Sequence, residues 1–549
     1  MTTLRKRFPN KGNLLAFAFV AAFLLTSFGS MFMPTTGLYK PEAVGAFLNN
    51  SLPTTTPSNG GGPVNWSVVP AFPNLTFNNP LVITMYPDPS VDVMFVASRL
   101  GTIEYFNSAD PAVNTKTLMA DFTNETIVAH DGGFLGMAFH PDFATNPNRN
   151  WVYLYYVAAG PHVFSGQSQP NNGPYSCDCE CFSCSTDGRW YGSYLRLARY
   201  DVNGSLATGL TIDKSSEKRM INIPMFNATH RGGGLTFGED GYLYLTIGDQ
   251  ARRTTAQGLT KAADNSDNVN MFEGGVVRLD VNIDTPSANS HAPTYVLGPQ
   301  SNFAMRDYDN NCTGGADPIT YVTTETVTGA FYRIPNDNPQ WYTTTSNYFE
   351  EFITVGHRAP HRMTMDKQTG ALWIGEVGSG SREEINALQV DRLKRNGLTT
   401  QGGGNYGWPK HEGYLVGNFT ACGSNNLTLT LGTLYDPIVD FPRSGAKGAN
   451  AIIGGYVYRG SKFAAQLGGK YICGGHSQNR IFAISYKTDA NGKYVPDFPS
   501  GGTYRDAIEE LTSFTPGQMI TWGEDHDGEL YIGKIGNNVN LYTLAATGI

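Results

Sequence analysis

One pattern recurs along the chain: a turn rich in Gly and Asp, then a short run in which aromatic and aliphatic side chains alternate with small or polar ones. Thr236-Phe-Gly-Glu-Asp-Gly-Tyr-Leu-Tyr-Leu-Thr-Ile-Gly248 and Thr521-Trp-Gly-Glu-Asp-His-Asp-Gly-Glu-Leu-Tyr-Ile-Gly533 are near copies, and Thr364-Met-Asp-Lys-Gln-Thr-Gly-Ala-Leu-Trp-Ile-Gly375 is a third. A period of two bounded by Asp/Gly turns predicts, in each copy, a strand, a hairpin turn and an inner strand ending in glycine. Looser copies run from Val93 to Phe106, Trp151 to Tyr200 and Ile452 to Ile484. Six such strand groups around one axis make an all-β, six-bladed β-propeller the economical architecture. Their wide spacing implies long loop insertions, placed near 160–192, 285–347 and 411–449. The segment near Leu81 to Met85 is expected to help close the ring.

Composition supports this picture. Of 549 residues, 16% are charged and 63 are Gly, with 30 Phe, 29 Tyr and 7 Trp. Turn-forming glycine and strand-forming aromatics suit short strands rather than helical bundles. The formal charge of −8, with no basic stripe beyond the N-terminus, argues against a nucleic-acid partner.

The N-terminus reads differently. Arg5, Lys6, Arg7 and Lys11 precede an apolar run from Leu14 to Leu25 and small residues at Ser27, Gly29 and Ser30. That order is the one of a secretory signal over residues 1–30; the alternative is a retained membrane anchor. A Thr/Pro/Gly-rich lead-in occupies 31–63, and the propeller is assigned to 64–549. Sequons at Asn49, Asn65, Asn74, Asn124, Asn203, Asn227, Asn311, Asn418 and Asn426 agree with a secreted, extracellular glycoprotein. Cys177, Cys179, Cys181 and Cys184 crowd the 160–192 insert. Their spacing lacks the paired knuckles of a zinc site, so disulfides are the favoured reading, with Cys312, Cys422 and Cys473 as further candidates.

Candidate chemistry gathers where the strands should end at one rim. His230 stands just before one strand and Asp249 closes the same hairpin, an arrangement that lets a carboxylate hold an imidazole base in one tautomer. A structural rim histidine is the plain alternative. Gly232 to Gly234 permit close approach by a backbone or a ligand. Arg358, in Gly356-His-Arg-Ala-Pro360, suits a carboxylate or planar acceptor, or else an ion pair between blades. The acidic, glycine-rich turn Glu376-Val-Gly-Ser-Gly-Ser-Arg-Glu-Glu384 offers oxygens of the kind Ca²⁺ prefers, or is a solvated hairpin.

Several stretches together resemble the glucose/sorbosone dehydrogenase family: His-Asp-Gly-Gly-Phe-Leu-Gly-Met-Ala-Phe-His-Pro-Asp-Phe (130–143), residues 235–250, Val-Gly-His-Arg (355–358), Glu-Glu-Ile-Asn (383–386) and Gly-Gly-Asn-Tyr-Gly-Trp-Pro (403–409). The resemblance spans roughly residues 64 to 545. It implies six-bladed propellers, soluble sugar dehydrogenases that bind pyrroloquinoline quinone (PQQ) and Ca²⁺, and eukaryotic hedgehog-interacting-like proteins. By that resemblance His230 matches the base that takes the sugar hydroxyl proton, Asp249 its orienting carboxylate, and Arg358 the arginine beside the quinone oxygen. Asp131 is placed with the cofactor-binding residues. The backbone carbonyls of Gly378 and Ser379 match the calcium-ligating pair, although bacterial members carry Pro at the second position.

The sequence also departs from the pattern. Ala359 stands where Asn is expected, and Thr229 where an acidic residue precedes the base. The lysine and paired arginines that clamp the quinone carboxylates are unmatched; Ser477, Gln478, Gln518 and Ile520 lie nearby, with His476 and Arg480 as the substitutes at hand. Two functions follow: oxidation of an aldose-type hydroxyl by a PQQ- and Ca²⁺-dependent enzyme with an external electron acceptor, or a non-catalytic extracellular propeller that binds a protein or glycan.

Overall fold

The structure, a computed structural model, describes residues 64–128, 131–158, 194–224, 229–250, 272–292, 331–339, 350–395, 402–417 and 433–548. The signal-like segment, the four clustered cysteines, Cys312, Cys422 and the sequons at Asn49, Asn227, Asn311, Asn418 and Asn426 lie outside the described residues.

The alternating stretches form antiparallel sheets, five of four strands and one of six. The first runs Pro80–Met85, Val93–Ser98, Thr102–Asn107, Thr117–Asp121, and the second Phe134–Phe139, Trp151–Ala158, Tyr194–Ser205, Gly209–Pro224. The six-stranded sheet runs Leu235–Phe237, Leu243–Ile247, Gly275–Leu279, Phe352–Val355, then adds Gly404–Asn405 and Thr433–Leu434 in parallel. The next two sheets start at Pro360–Met365 and Ile452–Val457, and the last comprises Met519–Glu524, Leu530–Lys534 and Tyr542–Thr547 with one strand from the N-terminal side. Among the described residues helix is confined to single turns such as Val390–Leu393 and Ala464–Leu467. None is long and apolar enough to cross a membrane.

These sheets form a propeller. Their first strands pack on one another in series, and Met519–Glu524 returns to pack on Pro80–Met85. Pro80–Met85, Phe134–Phe139, Pro360–Met365 and Met519–Glu524 are buried at every position, as strands covered on both faces must be. Edge strands are more polar: Ile508–Ser513 exposes Glu509 and Glu510. The first strand of each repeat, and not the glycine-ended second, is therefore the inner one. The glycines serve close approach instead. A Cβ on Gly375 would overlap the backbone nitrogen of Gly454 in the neighbouring sheet.

Closure comes from Asn65–Pro70, which pairs with Tyr542–Thr547 from Asn65 opposite Thr547 to Pro70 opposite Tyr542. Leu81 to Met85, expected to help close the ring, lie in the inner strand of the first sheet, on which Met519–Glu524 of the last sheet packs, while the hydrogen-bonded closure is made by Asn65–Pro70. The outer position goes to the more exposed strand because only that edge of the last sheet remains unpaired.

Cys473 corrects one sequence expectation. It is a free thiol, fully buried in the strand Tyr471–Gly475 within a cluster that includes Trp373, Phe441 and Phe482, and is no disulfide partner. Asn65, Asn74, Asn124 and Asn203 are all exposed.

Candidate functional site

The candidate residues converge on one rim of the ring, where first strands begin and second strands end. Asp131, His230 and Arg358 precede Phe134–Phe139, Leu235–Phe237 and Pro360–Met365; Asp249 and Gly378 follow Leu243–Ile247 and Leu372–Glu376. Hairpin geometry brings the ends of each pair together.

His230 takes a left-handed conformation, φ 58°. Its backbone N–H donates to Asp131 Oδ2 at 2.8 Å, and its ring Nδ1 meets Asp249 Oδ1 at 2.6 Å. A carboxylate accepts, so Nδ1 carries the proton and Nε2 is the basic nitrogen of the neutral ring. Asp249 is fully buried while the imidazole is 13% exposed. The Asp249 N–H donates to the Arg358 carbonyl, tying the hairpin to the next sheet. The close contact needs glycine: a Cβ on Gly248 would overlap the His230 carbonyl. Gly232 likewise lets the backbone of Thr246 approach, and Gly234 faces Met363, so this glycine run serves packing within the fold.

Asp131 is buried, and loss of hydration pushes its carboxyl up to about 7 against the His230 N–H, Arg231, Arg99 and Arg358, which all favour its charge. Its visible contact is with the loop that carries His230.

Sequence reasoning gave Trp408 no role. The Gly403–Pro409 stretch runs beside Phe352–Val355, with the Tyr406 N–H donating to the Val355 carbonyl and the Trp408 N–H to that of Gly356. The indole Nε1–H therefore reaches Asp249 Oδ2 at 2.9 Å, and the ring lies 5.5 Å from the Arg358 guanidinium. The only sequence signal was the glycine-rich motif itself.

Arg358 Nη1 donates to the carbonyls of Val377, 2.9 Å, and Gly378, 2.7 Å. Burial lowers its pKa, with Asp249 opposing and Arg443 reinforcing that shift. Arg443, also unforeseen, donates through Nη2 to the same Gly378 carbonyl and pairs with Glu383 Oε1 at 3.0 Å. Nothing in Phe-Pro-Arg-Ser marks it, since Gly378 and Glu383 lie far earlier in the chain.

The acidic turn was expected to offer its oxygens to Ca²⁺. Instead Glu376 accepts from the Arg358 N–H, His357 Nδ1 and Asn386. Glu412 Oε1 accepts the N–H groups of Gly380, Ser381 and Arg382. Glu383 faces Arg443 and the Ile452 N–H, and Glu384 the Gly413 N–H and Asn386. Among the described residues, no three His, Cys, Asp or Glu side chains are arranged around a metal. With two guanidinium groups on the Gly378 carbonyl, a calcium ion does not fit this arrangement.

The quinone's carboxylates fare no better among the described residues. His476 Nδ1–H donates to the buried Met519 carbonyl at 2.6 Å, and Arg480 is taken by the Gly445 carbonyl and Glu510. Gln478 holds the Arg443 carbonyl. Among the described residues, neither His476 nor Arg480 is left to grip a quinone carboxylate, so PQQ does not fit these positions.

Comparisons with known proteins agree with the fold. The sequence profile of glucose/sorbosone dehydrogenases matches residues 77–295 and 329–531, well over half of the chain. The HIPL2 protein of Arabidopsis thaliana is 26% identical over 465 residues, which cover 82% of this chain and 57% of that protein. Quinoprotein glucose dehydrogenase B of Acinetobacter calcoaceticus is 25% identical over 358 residues, 64% of this chain and 55% of its own length. The chain thus spans little more than half the length of these relatives. The solved structure of the soluble aldose sugar dehydrogenase of Escherichia coli in its apo form superposes with a TM-score of 0.52 at 18% identity, over 88% of this chain and 99% of its own, which shows the shared fold.

Proposed function

The chain belongs to the glucose/sorbosone dehydrogenase family, and from that premise we propose that its rim binds a sugar-type hydroxyl compound and takes its hydroxyl proton at His230 as the hydride of the same carbon passes to a two-electron acceptor supplied from outside the chain. The observation that supports this is the chain Trp408–Asp249–His230, in which each polar atom is fixed by the one behind it. An imidazole so held presents Nε2 in one tautomer; as the substrate O–H breaks, its proton passes to Nε2 and the Asp249 carboxylate stabilises the imidazolium. The Arg358 guanidinium beside Trp408 supplies positive charge for the oxygen of a bound ligand.

A second reading, a rim that binds a glycan or protein without turnover, draws on the engagement of His476 and Arg480 within the protein and the guanidinium-covered Gly378 carbonyl. Purified protein mixed with PQQ, with and without Ca²⁺, separates the two by visible absorption and dye reduction over a panel of aldoses. Sugar-dependent dye reduction supports the first reading; sugar binding by calorimetry without turnover supports the second.

Two further proposals complete this reading. The six-stranded sheet is one blade with two added strands, making six blades, which the closed series of inner-strand contacts supports. The chain is exported and glycosylated, as its basic and apolar N-terminal segment and four exposed described sequons suggest. N-terminal sequencing and glycosidase digestion of material from a eukaryotic culture medium test this.

A further inference from the structure

We infer that Arg443 is a built-in cation that holds the Gly378 carbonyl in place of a metal ion, so that this rim works without calcium. The family resemblance leads one to expect Ca²⁺ at the carbonyls of Gly378 and Ser379, and the structure shows what stands there instead. The Gly378 oxygen accepts from Arg443 Nη2 and from Arg358 Nη1. Arg443 is itself fixed from three sides. Glu383 Oε1 pairs with Nη2 at 3.0 Å, Asn450 Oδ1 accepts from Nη1 at 3.1 Å, and the Arg443 carbonyl is held by Gln478 Nε2 at 2.9 Å. Its guanidinium is mostly buried and Glu383 wholly so, which makes this a built ion pair and not a surface contact.

Charge and ligand count point the same way. Calcium takes six to eight oxygens at about 2.3–2.6 Å, and an ion at that distance from the Gly378 oxygen would stand beside two guanidinium groups. Of the carboxylates that would offset its charge, Glu376 and Glu384 accept hydrogen bonds at both oxygens and Glu383 accepts one hydrogen bond and the Arg443 ion pair, which leaves Glu412 Oε2 as the one oxygen of the four without a hydrogen bond or ion pair, too few for the ion. A guanidinium meets the same electrostatic need with one charge and directed N–H groups, which suits a carbonyl and a carboxylate held a fixed distance apart. Arg443 directly follows Val439–Pro442, the strand paired with Arg382–Leu388 that carries Glu383, so their pairing fixes the start of the link to the Ile452–Val457 sheet, whose Ile452 N–H also donates to Glu383.

The test reads metal binding and is independent of turnover, so its failure and that of the proposed oxidation are told apart. Wild type, Arg443→Lys and Arg443→Gln are freed of metal with a chelator and titrated with CaCl₂ by calorimetry, with thermal unfolding in parallel. Wild type and Arg443→Lys should bind no stoichiometric calcium at millimolar concentrations. Arg443→Gln removes the cation paired with Glu383 and leaves Arg358 as the one guanidinium seen on the Gly378 carbonyl, and should gain one equivalent together with a calcium-dependent rise in Tm of a few degrees. One equivalent of calcium bound by wild type overturns the inference, as does a folded Arg443→Gln that gains none. Should Arg443→Gln fail to fold, the wild-type titration decides by itself.

Discussion

The indole N–H of Trp408 donates to one oxygen of Asp249 while the other oxygen takes the ring Nδ1 of His230, at 2.9 and 2.6 Å. A buried carboxylate with both oxygens engaged cannot rotate away from the imidazole. The segment bearing Trp408 thus sets the orientation of a base from which it is remote in sequence.

For the oxidation reading this gives a graded series. His230→Ala should lower kcat by about 10² to 10⁴, the range of general-base catalysis. Asp249→Asn should impair the same step through the wrong tautomer. Trp408→Phe keeps the ring and loses one hydrogen bond to a charged group, of the order of 1.5–3 kcal/mol, so its loss should be smaller than that of His230→Ala. Initial rates of dye reduction rank the three; equal loss in Trp408→Phe and His230→Ala would contradict the orienting role.

Asp131 predicts a pH effect on stability. Its carboxyl is raised to about 7, chiefly by burial, against about 3.9 in an unfolded chain. Between those values the folded state holds a proton that the unfolded state releases, so this contribution to stability is present at low pH and is lost as pH rises toward and through 7. Asp131→Asn keeps an acceptor for the His230 N–H and removes the titration. Urea unfolding at pH 5 and pH 8 should show wild type losing stability relative to the variant at the higher pH; a parallel response in both proteins would contradict this.

Much of the architecture was legible because the repeats are local. Asp240-Gly241 and Asp525-His-Asp-Gly528 turn where the pattern says, and the alternating residues around them are strands. The His230–Asp249 contact was legible for the same reason, both lying at the ends of one hairpin. Which strand is innermost was not, because burial on both faces is a property of the assembled ring. Closure by Asn65–Pro70 escaped because its partner is at the far end of the chain and the strand itself is half exposed. Trp408 and Arg443 escaped because each follows a strand, Gly404–Asn405 and Val439–Pro442, that lies far along the chain from the residues it meets in the same sheet.

A buried ion pair between sheets offers a stability test. Arg459 donates to Asp366 through Nε at 2.9 Å and Nη2 at 2.7 Å, with both side chains almost fully buried. Arg459→Ala leaves the Asp366 charge uncompensated and should cost about 3–5 kcal/mol. Arg459→Met with Asp366→Leu should recover a large part of that loss, since much of it is the unpaired charge. Chemical denaturation of the single and double variants measures both, and a double variant as unstable as the single one would contradict this account.

The closing strand carries the last prediction. Asn65–Pro70 buries little apolar surface beyond Trp66, whose ring meets Phe463 edge-on at 5.0 Å, so its value lies in pairing the edge of the last sheet. Removing residues 1–70 exposes the backbone groups of Tyr542–Thr547 as an open edge. The lost hydrogen bonds, about 1 kcal/mol each, should lower stability by roughly 3–6 kcal/mol. The inner strands still pack in a closed series, so the truncated chain should remain folded. An open edge also templates pairing with another chain, so the truncated protein should self-associate with rising concentration in sedimentation velocity while wild type does not. Trp66→Ala separates the two contributions: it removes the ring contact but leaves the ladder, and should destabilise modestly without self-association. A truncated protein that stays monodisperse and unfolds at the wild-type urea midpoint would show that the ring is closed by its inner strands alone.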